Sequence, residues 1–431
     1  MSDTRNEKIK HFLEEKIILT VTDSSTDRSI WKNYFKDLEI NPVNILNANT
    51  QEEALQIIDQ NNVHIILTSY LLQGHTAEEI IKRHLDKFPN RNERLIFLMT
   101  ENTSMSIASF ASENSVDGLI LKPYNLLDLD NILTDSFIEK IRVTQTDNLF
   151  YITYEKIHFL QFEQAEKSIS DYKATTNNAA NTSFLRGFLA FKKDDLINAI
   201  THWADVLNFN PIHHKALHCL FNAHIDLKQY KEAYEYAEIL CNNYPINPNR
   251  IPDYIKVSIA TNNYESVVSF CKMIMSIDTS QPGLQKPIAA GLAISGKFLS
   301  NSNEHFKIAS ESSTMALNLC EPNSIIQYTA LQNLLRVGDF KIAREIIDLV
   351  PTDDMSDKLL VIDLLITELE QPSVKTYEKA QKMISQGIKD VDLYVVLYTS
   401  AKSVGKNDEY LEEILFEGTK VFSNLLDSIP T

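Results

Sequence analysis

Over residues 17 to 134, short apolar runs alternate with segments whose apolar side chains recur at helical spacing; beyond about Asp147 only the helical spacing persists. Ile17 to Val21, Val43 to Asn47, Val63 to Thr68, Leu95 to Met99 and Gly118 to Leu121 are brief enough to be buried strands. Between them Arg28 to Leu38, Glu52 to Asp59, Thr76 to Phe88 and Ser104 to Glu113 are expected to be helical, and a further helix starts at Leu126. Alternating β and α units of this length predict a parallel sheet covered on both faces, with its ligand crevice outside the carboxyl ends of the strands.

The helical remainder is periodic. Ala165, Ala199, Ala233 and Val267 recur every 34 residues, as do Phe162, Leu196, Tyr230 and Tyr264, and Pro211 and Pro245 fall in the same register. Paired helices cross closely only where one side chain is small, and a proline ends the second helix. Gly187, Ala199, Trp203 and Pro211 resemble the tetratricopeptide (TPR) pattern of small, small, aromatic and proline positions. The resemblance is clear from residue 146 to about 280. It loosens beyond, with repeat-like hinges at Val337 to Ile347, where Ala343 takes the small position, and at Ser403 to Leu415. An insertion or irregular turn is expected near Pro282 to Gly296, within a solenoid of roughly six to eight helix pairs.

At the strand ends of the first segment stand Asp23, Ser69, Thr100 and Lys122, in that order. Their order and spacing resemble the receiver domain of bacterial response regulators, a flavodoxin-like (CheY-like) α/β fold. The resemblance implies that an acidic pair after the first strand and an aspartate after the third hold Mg²⁺ and accept phosphate, while the Thr and Lys stabilise the phosphoryl group. Here the acidic pair falls on Thr22 and Asp23, the acceptor on Ser69, and the aromatic switch position on Leu119. Mg²⁺ wants at least one or two carboxylates, so Asp23 alone should hold it poorly, and a serine hydroxyl cannot form an acyl phosphate. A plainer reading of Thr100 and Lys122 is that they hydrogen-bond the strand ends, with Lys122 neutralising Asp23. The resemblance also implies a cis bond at Lys122-Pro123.

The net charge of -17 is distributed: residues 1 to 150 hold 15 Lys and Arg against 23 Asp and Glu, and the remainder 26 against 35. Neither part offers the basic surface of a nucleic-acid-binding module. The four cysteines, Cys219, Cys241, Cys271 and Cys320, have no C-x-x-C spacing and read as reduced thiols. The polar start M-S-D-T-R-N-E-K is unlike a signal peptide, and no apolar run reaches the ~18 residues of a membrane span. A cytoplasmic protein is expected. With 10 glycines and no P-loop, dinucleotide fingerprint or G-x-S-x-G, no cofactor and no enzymatic activity are expected. His214 and His218 lie one helical turn apart beside His213, but no nearby glutamate or cysteine completes a zinc pattern, so no metal is expected.

The domain layout predicted is a degenerate receiver at 1–140, a helical linker at 141–150 and a TPR-like array at 151–431. This layout resembles the auxiliary response regulators of the VieB and HnoD kind. The resemblance implies a non-enzymatic protein whose receiver-shaped surface binds a sensor histidine kinase and inhibits it, or its transfer to another response regulator. TPR arrays bind protein segments on a concave face, and projection of the first helices places Tyr154, Phe188, Phe191, Lys192, Asn222 and Asp226 there; the aromatic ones equally suit interhelix core. Two rival functions stand beside this: a scaffold whose receiver fold homodimerises while the groove recruits a motility, secretion or biofilm component, and a conditional, enzyme-like role in which Ser69 or a nearby residue is modified by a kinase.

Overall fold

The computed structural model describes residues 2–275, 283–351, 354–371 and 373–429, with side chains from residue 7 onward. Two compact units are present, 1–257 and 258–431.

The first unit opens with α1 (Ser2–Leu13), β1 (Ile17–Val21), α2 (Ser25–Asp37), β2 (Ile45–Ala48), α3 (Gln51–Gln60) and β3 (Val63–Ser69). A small hairpin, β4 (Leu71–Leu72) and β5 (His75–Thr76), turns at Gly74, whose φ of 85° suits glycine. Then come α4 (Glu78–Lys87), β6 (Leu95–Thr100), α5 (Met105–Glu113), β7 (Gly118–Leu121) and α6 (Leu126–Ile141). The five long strands form one parallel sheet in the order β2-β1-β3-β6-β7. Alternate residues feed opposite faces: Ile65, Leu67, Phe97 and Met99 pack with Trp31, Leu133 and Phe137, while Ile96 and Leu98 pack with Ile81 and Phe110. This is the flavodoxin-like α/β arrangement. α1 adds Ile9 and Leu13 to the first of these cores.

Helices follow in pairs: α7 (Gln145–His158) and α8 (Phe162–Thr176), α9 (Ala179–Lys192) and α10 (Leu196–Phe209), α11 (His214–Asp226) and α12 (Tyr230–Asn243), α13 (Ile251–Ala260) and α14 (Tyr264–Met275). α15 (Gln285–Leu299), α16 (Phe306–Leu319), α17 (Ile325–Arg336), α18 (Phe340–Asp348), α19 (Asp357–Glu370), α20 (Ser373–Ser385), α21 (Val391–Ser403) and α22 (Asp408–Val421) continue the alternation to a short α23 (Leu425–Ser428). That makes eight successive pairs among the described residues. The only break between sheet domain and array is Arg142 to Thr144, so residues 145–150 already belong to the first array helix rather than to a linker. Gly283 turns with a φ of 87°, and residues 285–299 then form a regular helix, so the irregularity expected near Pro282 to Gly296 does not extend past residue 284; Pro287 sits in the first turn, where no N–H partner is lost. Pro282 lies outside the described residues.

Ala165, Ala199, Ala233, Val267 and Ala343 are all fully buried. A side chain on Gly187 would meet Trp203, since a Cβ there would lie 2.5 Å from the indole Cδ1. Overpacking costs roughly 1–3 kcal/mol and the better helix propensity of alanine returns up to about 1. Gly187→Ala is therefore expected to destabilise the first unit by about 1–2 kcal/mol in urea unfolding; an unchanged midpoint would show that Trp203 repacks freely. Between paired helices a second register emerges: Leu160, Asp194, Lys228 and Asn262 all adopt left-handed backbone, with φ between 57 and 60°. Gly338 and Gly405 take the corresponding turns later in the chain.

Candidate functional site

Ser24 caps α2 by accepting from the Asp27 amide, which places Asp27 on the first turn and against the ends of β1 and β3. Its carboxylate, not that of Asp23, is the acid of the crevice. Lys122 Nζ lies 2.7 Å from Asp27 Oδ2, and Tyr124 donates its hydroxyl to Oδ1 at 2.8 Å. Burial alone would raise the Asp27 pKa, but the Lys122 and Tyr124 hydrogen bonds and the Lys122 charge outweigh it and hold the group below its ordinary value. Asp23 is exposed, so the pairing of Lys122 with Asp23 is corrected: the cation follows the capped helix inward to Asp27.

The other predicted positions meet at the same strand ends. Ser69 Oγ donates to Thr22 Oγ1 at 3.2 Å, and Thr22 Oγ1 is 3.4 Å from Asp27 Oδ2. Thr22, Ser69 and Thr100 are all buried, and the Thr100 hydroxyl accepts from the Asn102 amide at 3.0 Å. Leu119 packs against the Phe110 and Leu98 side of the sheet. The Lys122-Pro123 bond is cis. The cluster thus holds two buried hydroxyls, Thr22 and Ser69, beside one buried carboxylate, Asp27, that is already neutralised by Lys122. A divalent hard cation finds no adequate donor set here.

A second site was not foreseen. The loop Pro245 to Arg250, after α12, reaches back to the sheet domain: Ser109 donates to the Pro245 carbonyl at 2.7 Å, Asn249 to Glu78 at 2.5 Å, and Asn247 and Arg250 to Glu113 Oε2 at 2.8 and 3.1 Å. Beside this junction is a cavity of about 460 Å³ lined by Arg91, Arg94 and Glu113 from the sheet domain and by Tyr154, His214, Lys215, His218, Asn222 and Arg250 from the helices. Lys215 keeps solvent-accessible surface because it projects into this space. Surrounding protein, and then the charges of Arg91 and Arg94, still push its ammonium pKa down.

At the cavity wall Glu113 Oε1 stands 3.3 Å from His218 Nε2, which is 3.2 Å from His214 Nε2. Burial pushes His218 down to about 3, helped by His214 and Arg250, and burial lowers His214 as well. His213 is apart from them, capping α11 by accepting the Ala216 amide. Sequence reasoning missed Glu113 because it lies far upstream; the seven residues between α12 and α13, against two before α9 and four before α11, are the local sign of a contact there.

Of the projected groove residues, Tyr154 stacks on Phe188 with ring centroids 4.3 Å apart, and Lys192 lies over Phe188. Asn222 accepts from Arg250 at 3.4 Å, so Tyr154 and Asn222 face the sheet domain's cavity. Phe191 leans instead on Trp203, and Asp226 is exposed.

No family model matches the sequence. A protein of Oryza sativa subsp. japonica described as two-component response regulator ORR6 is 25% identical over 118 residues, 27% of this chain and 69% of the relative. Among solved structures the chain is similar to a tetratricopeptide repeat protein from Parabacteroides merdae ATCC 43184, at a TM-score of 0.30 and 14% identity, covering 63% of this chain and 97% of that one. It is also similar to the apo form of the quorum sensor NprR from B. thuringiensis, at a TM-score of 0.28 and 12% identity, covering 69% and 94%. Among the described residues no helix is long and apolar enough to cross a membrane.

Proposed function

We propose that this protein is a non-enzymatic regulator of two-component signalling that binds a sensor histidine kinase without accepting its phosphate, and so inhibits the kinase or its transfer to another response regulator. The observation that carries this is the Ser69–Thr22 hydroxyl pair at the strand ends, next to an Asp27 already neutralised by Lys122. The partial likeness to a response regulator supports the signalling context. The surface suits protein docking: the segments that follow the carboxyl ends of the strands, β4 and the first turns of α5 and α6, expose Leu71, Met105, Leu126 and Leu127, and exposed apolar side chains gathered on one rim favour a partner. The helical array supplies a second contact, raising affinity by tethering.

The test is a phosphotransfer assay with the full chain and sensor kinases encoded beside it. Kinase autophosphorylation or onward transfer should fall at stoichiometric ratios, with no label on the protein itself. Absence of any effect on every such kinase removes the inhibitor reading. A companion variant, Thr22→Asp with Ser69→Asp, rebuilds the acidic set and should bind Mg²⁺ and take phosphate from acetyl phosphate, where the parent does neither. Failure of that variant, if it stays folded, means the crevice is not a receiver site.

A further inference from the structure

We propose that Glu113, His214 and His218 form a binding site for one Zn²⁺ ion that clamps the sheet domain onto the first helix pairs. The three donor atoms lie within 4.8 Å of one another. Two of their separations, 3.2 Å between the histidine nitrogens and 3.3 Å from His218 to the carboxylate, match the spacing of about 3.3 Å between tetrahedral ligands held 2.0–2.1 Å from zinc.

Chemistry favours the same reading. His214 and His218 are one turn apart on α11, so both rings project from one face. The ring nitrogens of His214 and His218 face each other and Glu113 Oε1 stands beside them, so three atoms able to offer a lone pair converge on one point. A divalent cation satisfies all three. The carboxylate is held in a ligating orientation, because Asn247 and Arg250 bind Oε2 and leave Oε1 directed at His218. Outer hydrogen bonds of this kind orient metal ligands. Arg250 and Lys215 weaken attraction for a cation here, so the site demands ligands that bond strongly. Imidazole with one carboxylate suits zinc and its neighbours in the transition series, and not Mg²⁺ or Ca²⁺. All three residues line the cavity, which leaves a fourth coordination position to water.

The consequence is structural. Glu113 ends α5 of the sheet domain and the histidines begin α11 of the array, so the metal ties two elements otherwise joined by hydrogen bonds. This reading does not depend on the one for the phosphate crevice.

The experiment is titration of the metal-stripped full-length chain with ZnCl₂ against a chromophoric chelator, with CoCl₂ as a spectroscopic probe and thermal unfolding recorded alongside. One equivalent should bind, Co²⁺ should give the intense visible bands of tetrahedral coordination, and Tm should rise with Zn²⁺. His218→Ala and His214→Ala should each lose at least tenfold in affinity, whereas His213→Ala should keep it. His214→Ala leaves the Glu113–Arg250 pair intact and so guards against a folding defect. No stoichiometric binding by the parent, or binding retained in a folded His214→Ala, overturns the site.

Discussion

Asp117→Ala is expected to destabilise the first unit by roughly 3–5 kcal/mol, the usual consequence of removing one partner from buried charges. The Asp117 carboxylate stands among three cations: Lys140 Nζ at 2.9 Å, Arg91 Nε at 3.2 Å and Arg94 Nη1 at 3.5 Å. Arg94, Lys140 and Asp117 side chains are only 3–4% exposed. Asp117 also accepts the Ile96 amide at 2.9 Å, tying the start of β7 to β6. Without it three positive charges face one another with no counterion, two of them cut off from water. Burial already pushes the Lys140 pKa down, and only the Asp117 charge and hydrogen bond resist that. Urea unfolding checks the loss. Adding Lys140→Met to the Asp117→Ala background should recover part of it, because one uncompensated charge is gone. A single-variant cost under about 1 kcal/mol would mean that water reaches these groups. The network also fixes Arg91 and Arg94 on the cavity wall, so the same variant should disturb the junction with the helices.

The parallel sheet was legible because its strands are short, mostly apolar runs: Ile17–Val21 and Gly118–Leu121 have the bounds expected from the sequence. The array was legible for a similar reason, since close helix crossings admit only small side chains at positions such as Ala199 and Gly187. α1 was not, having only Ile9, Phe12 and Leu13 to declare a buried face. Nor was the ladder of left-handed hinges, because Leu160, Asp194, Lys228 and Asn262 share a backbone conformation and no chemistry. Within the crevice the register of Ser69 and Lys122 could be read from strand ends, but the choice of Asp27 over Asp23 depends on the Ser24 cap that starts α2 one turn earlier than the apolar spacing suggests. Glu113 and Arg250 meet only in three dimensions, so no local pattern announces the junction or its histidines.

Acid should weaken the first unit through His84 in a way that a single substitution can isolate. The ring is fully buried in α4, donates from Nε2 to the Val63 carbonyl at 2.9 Å, and has no partner for Nδ1. Burial, and then the charge of Arg94, pushes its pKa down to about 3, with the Val63 bond opposing. The folded state therefore keeps His84 neutral while the unfolded chain takes up a proton below about 6.5. Between those values the unfolded state binds more protons, so stability is full above about pH 6.5 and falls as pH drops. The loss is roughly 1.5 kcal/mol at pH 5.5 and nearly 3 kcal/mol at pH 4.5. His64, half-buried and accepting the Ile17 amide through Nδ1, adds a smaller loss of the same sign, its pKa lowered to about 4 by burial and Lys16. His84→Gln, which can still donate to Val63, should shrink the stability difference between pH 7.5 and 4.5 by the His84 share. Chelator in the buffer keeps His218 the same in both proteins, so its contribution cancels in the comparison. An unchanged pH slope in the variant would show that His84 is protonated in the folded protein, and that the face of α4 against Val63 opens to water.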